Sequence, residues 1–256
     1  MMAAAEGSSR PQGLMEPHLI DDLAYKETLY WWHRVRRHNL YRLLGTEPGS
    51  RARLLEIGCG TGANLREQKS QWTTAVGIDL EFRALAYCRD LAVVQGDALA
   101  ALPFADTTFD AVVLLDVLEH LADPGSLVRE IGRVLRQGGA VVIMVPAGPE
   151  LWSYWDEMHG HQRRYTKVTL AAVFGDGWRP EALEYSFSWM YPFVWGFRRI
   201  MQRRRRPSAH SDFIEIPRVL NALQVALGRM EGRAQRYVSA PFGTTLCGLW
   251  IKDGAQ

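Results

Sequence analysis

Leu54-Leu55-Glu56-Ile57-Gly58-Cys59-Gly60-Thr61-Gly62-Ala63-Asn64-Leu65 decides how the rest of the chain is read. A short apolar run ends in an acid, and three glycines follow at alternate positions. Glycine is required where φ is positive or where a ligand approaches the backbone closely. A glycine loop that leaves a first strand and opens a helix is the nucleotide-binding corner of a doubly wound α/β sheet.

The spacing narrows the ligand. A dinucleotide loop reads G-x-G-x-x-G and serves a pyrophosphate at the helix N-terminus. Here Gly58, Gly60 and Gly62 alternate, and Glu56 stands at the end of the strand. That arrangement suits a ligand with a cationic amino-acid end and no phosphate. S-adenosylmethionine is such a ligand.

The downstream segments continue the pattern. Ala75-Val76-Gly77-Ile78 predicts a second buried strand, with Asp79 at its carboxyl end, 23 positions after Glu56. A ribose-binding carboxylate belongs at about that place in a βαβ unit. Val93-Val94-Gln95-Gly96-Asp97-Ala98 places an acid after a third strand, where it can accept from an adenine amino group. Phe109–Leu115 predicts a fourth strand and Ala140–Val145 a fifth, with Gly138-Gly139 as the turn before it.

With these pieces in view, the chain resembles the class I S-adenosylmethionine-dependent methyltransferases. The resemblance rests on LLEIGCGTG, GIDL, QGDALAALPF, FDAVVLLDVLEHL and LRQGGAVVIMVP, in that order, over roughly residues 52–146. It implies an α/β fold: a doubly wound, Rossmann-like sheet of seven strands with helices on both faces. It also implies S-adenosyl-L-methionine as cofactor. The cofactor-binding set is then Glu56, Gly58, Gly60, Gly62, Asp79, Leu80, Asp97, Ala98 and Leu115.

Asp116-Val117-Leu118-Glu119-His120 follows the fourth strand directly. If these residues start a helix, Asp116, Glu119 and His120 share one face at i, i+3 and i+4. Two carboxylates and an imidazole there can bind a divalent cation or supply a general base. Ubiquinone-type O-methyltransferases and the 2′-O-methyltransferases of small RNAs carry a similar E-x-x-E-H segment, associated with a divalent metal and a later histidine. The resemblance implies Asp116, Glu119, His120 and His161 as ligands of magnesium, manganese, iron or zinc, with Asp116 a departure from the usual glutamate. His159 is the alternative later histidine. A metal-free role, with His120 as base and Glu119 orienting it, and a purely structural role both stay open.

Composition bounds the remainder. The 256 residues, 47% hydrophobic and 23% charged, suit one α/β domain with an addition. A net charge of +2 argues against a dedicated nucleic-acid binder. Cys59, Cys88 and Cys247 are too few and too scattered for a disulfide framework, which suits a reducing cytoplasm. No signal peptide or membrane-spanning run is apparent.

The expected organisation is a disordered tail over 1–16 and one methyltransferase domain over 17–256. Within that domain come an N-terminal helical lid (17–50), a cofactor-binding core (51–187), a helical cap insertion (188–242) and a last strand (243–256). Thr166 is the expected N-cap of a helix after the fifth strand. In the insertion, Trp189 to Phe197 precede Arg198-Arg199 and the Arg203–Arg206 run. Aromatics beside arginines fit peripheral contact with anionic lipid through 189–206, a pocket for an apolar acceptor, or a packed helix with a solvated end.

The expected function is methyl transfer to a small-molecule or lipid-like acceptor, at oxygen with divalent-metal assistance. The alternatives are a metal-independent N- or C-methyltransferase with His120 as base, and a non-catalytic cofactor-binding protein. The sequence specifies neither the acceptor nor the oligomeric state.

Overall fold

Leucines at adjacent positions of the first strand face opposite ways, and that alternation builds both faces of the fold. The computed structural model describes residues 17–45, 52–201 and 216–254. The 1–16 tail and the Arg203–Arg206 run lie outside the described residues.

In chain order, α1 (Pro17–Lys26) and α2 (Trp31–Leu44) precede β1 (Arg53–Ile57). Then come α3 (Ala63–Gln68), β2 (Thr74–Asp79), α4 (Phe82–Leu85), β3 (Ala92–Gln95) and β4 (Phe109–Leu115). They are followed by α5 (Pro124–Val134), β5 (Leu135–Pro146), α6 (Tyr154–Met158), α7 (Lys167–Ala171) and β6 (Trp178–Ser186). Two longer helices, α8 (Tyr191–Met201) and α9 (Arg218–Ala234), lead to β7 (Thr245–Lys252).

The seven strands form one sheet in the order β3-β2-β1-β4-β5-β7-β6. β1 pairs in parallel with both β2 and β4, so the strand order reverses there. That reversal opens the crevice at the carboxyl ends of the strands. β7 runs antiparallel between β5 and β6.

Period-2 alternation divides the core. Leu55, Val112, Val141 and Ile143 face α5, which presents Leu127, Val128, Ile131 and Val134. Leu54, Val113, Val142 and Met144 face the other way, with Leu40 and Leu43 of α2 and Leu65 of α3. Asp123 caps α5 by accepting from the Gly125 amide, and Pro124 opens its first turn.

Two boundaries differ from the sequence expectation. β5 begins at Leu135, not Ala140, because Leu135 pairs with Phe109 ahead of a register shift. Gly138, at φ +71°, lies inside the strand instead of in a turn before it. The helix expected from Asp116 is absent, and a single 3-10 turn at Leu118–His120 stands in its place. The helices expected at 190–202 and 216–237 are present as α8 and α9.

α2 and α9 pack together over the end of β6. Trp31, Val35, Phe187 and Val225 make a third apolar cluster between α2, α9 and the end of β6. Gly228 and Gly232 let α9 approach α2 closely: a Cβ at Gly228 would sit 2.5 Å from Val35 Cγ2. Polar contacts fix the register. Asn39 Nδ2 donates to Ser186 Oγ at 2.8 Å, and Glu231 accepts from the Phe187 and Ser188 amides at 2.7 and 2.6 Å. Gly228→Leu should therefore overpack this crossing and destabilise the protein by about 1–3 kcal/mol. Thermal melts beside Gly196→Leu, where a Cβ meets nothing within 4 Å, check this. Equal melting of the two variants would contradict a tight crossing.

Candidate functional site

β1 ends at Ile57 and the glycine loop turns upward from it. Gly58, Gly60 and Gly62 take φ of +74°, +53° and +81°. Gly58 donates its amide to the Ile78 carbonyl at 2.8 Å, binding the loop to β2. A Cβ at Gly58 would lie 2.5 Å from Val117 Cγ2, and one at Gly62 would lie 2.5 Å from Leu91 Cδ1. Loop and neighbours therefore leave no room for a side chain at either place.

Asp79 is held before any ligand arrives. One oxygen accepts from the Gly60 amide at 2.7 Å and the other from the Glu81 amide at 2.8 Å. Glu56 is buried, and its Oε1 accepts from Asn64 Nδ2 at 2.8 Å. Its Oε2 has no hydrogen-bond partner among the described residues. Burial pushes the Glu56 carboxyl up to about 8, and the nearby charges of Glu27 and Asp79 push the same way. A buried acid with a free oxygen suits a cationic group.

The remaining cofactor candidates rim this corner. Asp97 is exposed and accepts from the Leu99 amide at 2.8 Å. Leu80 is exposed, whereas Ala98 and Leu115 are half-buried. Leu80, Phe82 and Leu99 are exposed apolar side chains after β2 and β3.

A second polar centre follows β4. Asp116 takes φ +57° and ends the strand, so it does not share a helical face with Glu119 and His120. Its carboxylate pairs instead with Arg36 Nη1 of α2 at 2.7 Å. Glu119, His120 and His161 do converge: one ligand atom from each lies within 4.8 Å of the others. Asp116 is outside that cluster.

Glu119 is fully buried, and neither carboxylate oxygen has a hydrogen-bond partner among the described residues. His120 Nδ1 is likewise buried without a partner. His161 Nε2 lies 4.0 Å from Glu119 Oε1, while its Nδ1 contacts Asp156 Oδ1 at 3.0 Å. Arg164 Nε, Arg198 Nη1 and the Ser153 amide, at 2.7, 3.0 and 2.9 Å, hold Asp156 in turn. His159 contacts the Trp155 carbonyl through Nδ1, so its ring bonds its own helix. Gln162 clips the segment to the 3-10 turn, its amide donating to Glu119 O at 2.7 Å and its Nε2 to His120 O at 2.8 Å.

Burial disfavours charge at Glu119 and His120, and partners restore it at Asp156. Burial, reinforced by the Asp116 charge, pushes Glu119 well above the carboxylate range. Burial and the facing His161 push His120 down to about 4. Burial alone would raise Asp156, but His161, Arg164 and Arg198 outweigh it and hold the acid at about 2. Burial thus disfavours the anion at Glu119 and the cation at His120. Mixed oxygen and nitrogen donors of this kind accept several divalent ions. The carboxylate behind His161 is the arrangement that orients an imidazole ligand.

Two residues of this centre escaped sequence reading. Asp156 has no local signature, because its partners come from separate segments. Arg36 is buried, stacks over Trp32 at 4.2 Å, and has Nε and Nη2 without hydrogen-bond partners. The Trp32/Arg36 spacing of four on a helix was its one available signal.

Known proteins resemble the chain over its sheet and glycine loop. A family model described as a methyltransferase domain matches residues 55–143. The chain is 30% identical to a demethylmenaquinone methyltransferase of Beutenbergia cavernae, over 66% of this chain and 74% of that relative. It is 36% identical to a "Probable S-adenosylmethionine-dependent methyltransferase" of Mycobacterium tuberculosis, spanning 46% of this chain and only 43% of that relative's length. In three dimensions it is similar to a chain from the Haloferax volcanii complex with the Trm112 methyltransferase activator. The TM-score is 0.62 at 20% identity, over 94% of this chain and 98% of that one, a likeness of fold. The chain belongs to the class I S-adenosylmethionine-dependent methyltransferases.

The Glu56 environment sets a pH dependence. Its folded value, about 8, lies above the ordinary carboxylate value of 4.5. Folded protein therefore keeps a proton that unfolded chain releases. The contribution is fully present below about pH 4.5 and is lost as pH rises through about 8. Melts of wild type and Glu56→Gln at stepped pH between those values should diverge, the wild type losing more stability towards the alkaline end. Parallel curves would show that Glu56 is not held protonated.

Proposed function

We propose that this protein transfers the methyl group of S-adenosylmethionine to an oxygen of an apolar, lipid-like acceptor. In this proposal Glu119, His120 and His161 hold a divalent cation, with Asp116 kept apart by Arg36. The observation that carries the reading is the fully buried Glu119, whose two unpartnered oxygens lie beside His120 and His161. An unpartnered buried carboxylate is costly and is relieved by a proton or a cation. Held there, a divalent ion would lower the acceptor hydroxyl pKa and orient its oxygen.

The remaining work falls to the chain itself. The glycine loop, Glu56, Asp79, Leu80, Asp97, Ala98 and Leu115 would bind the donor and aim its methyl group at the acceptor. In-line alignment is most of what this reaction needs, since the donor's sulfonium already activates the methyl. A metal-free reading makes His120 the base with Glu119 orienting it. His120, with a pKa near 4, is weakly suited to taking a hydroxyl proton, which favours the metal.

The named substrate class of the Beutenbergia relative, a demethylmenaquinone, supports an apolar quinone-like acceptor here. The surface supports delivery from a membrane. Phe193, Trp195, Phe197 and Ile200 of α8 are exposed, and Arg199 lies over the Trp195 ring at 5.2 Å. Aromatics with arginines suit peripheral docking on anionic lipid. No helix among the described residues is long and apolar enough to cross a membrane. A reducing, cytoplasmic setting belongs to the same proposal, as all three cysteines are free and buried.

Two experiments test the reading. Purified protein should contain a divalent metal by elemental analysis, and chelation should abolish turnover of a quinol or phenol panel until metal is restored. His120→Ala and His161→Ala should each weaken metal binding about tenfold or more while leaving S-adenosylhomocysteine affinity nearly unchanged. Full activity of metal-free protein would remove the metal and leave His120 as base. Separately, wild type should float with phosphatidylglycerol vesicles and not with phosphatidylcholine alone. Phe193→Ser with Phe197→Ser should abolish that flotation; unchanged flotation would remove α8 as the docking element.

A further inference from the structure

A side chain outside the motif region reaches the glycine loop. Glu27 sits in the turn between α1 and α2, half-buried. Its carboxylate accepts from Thr61 Oγ1 and from the Ala63 backbone amide, so it meets the Gly60-Thr61-Gly62 segment directly. Arg37 Nη1 donates to the Glu27 carbonyl at 2.7 Å. Asn221 of α9 takes the Trp31 amide at 2.8 Å and donates to the Leu29 carbonyl at 3.0 Å. Tyr87 hydroxyl donates to Asp21 of α1 at 2.6 Å, tying that helix to the segment after α4. The turn is thus pinned from α2 and α9, with its one acid aimed at the loop.

Glu27, Glu56 and Asp79 therefore surround one glycine loop. The charges of Glu27 and Asp79 both act on Glu56, whose Oε2 has no partner. Burial pushes the Glu27 carboxyl up, while the Thr61 hydrogen bond and the charges of Arg37 and Arg36 on α2 pull it back in part. A cation placed beside the unpartnered Glu56 Oε2 would offset these acids. The donor brings an α-ammonium.

We propose that Glu27 is a lid-borne ligand for the α-ammonium of S-adenosylmethionine, forming with Glu56 an acidic clamp across the glycine loop. This rests on the family's donor and not on the proposed metal or acceptor. Thr61 holds the carboxylate in place beforehand, and the second face of the acid receives the ammonium.

Calorimetry with three ligands tests the clamp: S-adenosylhomocysteine, its desamino analogue that keeps the carboxylate, and methylthioadenosine. Glu27→Gln should bind S-adenosylhomocysteine about tenfold or more weakly, the size of one charge-assisted hydrogen bond. It should bind the desamino analogue and methylthioadenosine within about twofold of wild type, which also shows that the variant is folded. Thr61→Val, which removes the tie and keeps the acid, should retain preference for the amine-bearing ligand. Equal losses for all three ligands would make Glu27 a structural tie, and unchanged affinity would make it a bystander. Either overturns the proposal. Failure of wild type to bind any of the three would overturn the donor site itself, a different result from a variant that fails alone.

Discussion

The parallel pairing of β1 with β2 on one side and β4 on the other is the constraint on which the rest depends. It aligns the carboxyl ends of three strands at the point where the strand order reverses. The Gly60 amide then reaches Asp79 on β2, and the Gly58 backbone passes against Val117 beyond β4. A side chain at Gly58 would push the loop away from Val117, next to the second polar centre, and one at Gly62 would push it away from Leu91 and Cys88. Packing on both faces of the sheet keeps those strand ends in register, since alternate residues of β1, β4 and β5 are buried on opposite sides.

Each polar centre contains a buried carboxylate with an unpartnered oxygen, Glu56 in one and Glu119 in the other. Burial raises the pKa of both, so both favour a proton when alone and a cation when one is offered. The proposed ligands answer that demand differently: an ammonium at Glu56, a divalent ion at Glu119. The Arg36–Asp116 pair stands beside the second centre. By neutralising Asp116, Arg36 lowers the negative charge near Glu119 and keeps one carboxylate out of the cluster.

The helices outside the sheet act together. α9 enters the chain late, yet Asn221 pins the turn that carries Glu27, and Gly228 lets α9 lie against α2. Glu231 on the same helix accepts the amides where β6 turns towards α8. One helix thus couples the N-terminal turn over the glycine loop to the segment leading into the exposed aromatic face.

The alternation of glycines in 58–62, the acid at each strand end and the period-2 apolar runs were local features, so the sheet and the glycine turn after its first strand were legible in the sequence. Thr166 as a cap and the two long helices of the insertion were legible for the same reason: capping and amphipathicity act within a few residues. The DVLEH segment shows where local reasoning stops. Helical spacing grouped Asp116 with Glu119 and His120, but backbone at φ +57° ended the strand and Arg36 drew Asp116 away. Asp156, Arg36 and Glu27 acquire their places from partners that are distant in the chain. The sequence by itself determined the architecture and the glycine turn at the end of its first strand, because those follow from local period and backbone freedom. Tertiary structure alone decided which charges meet and which stay unpartnered, because burial and long-range packing set each carboxylate's surroundings.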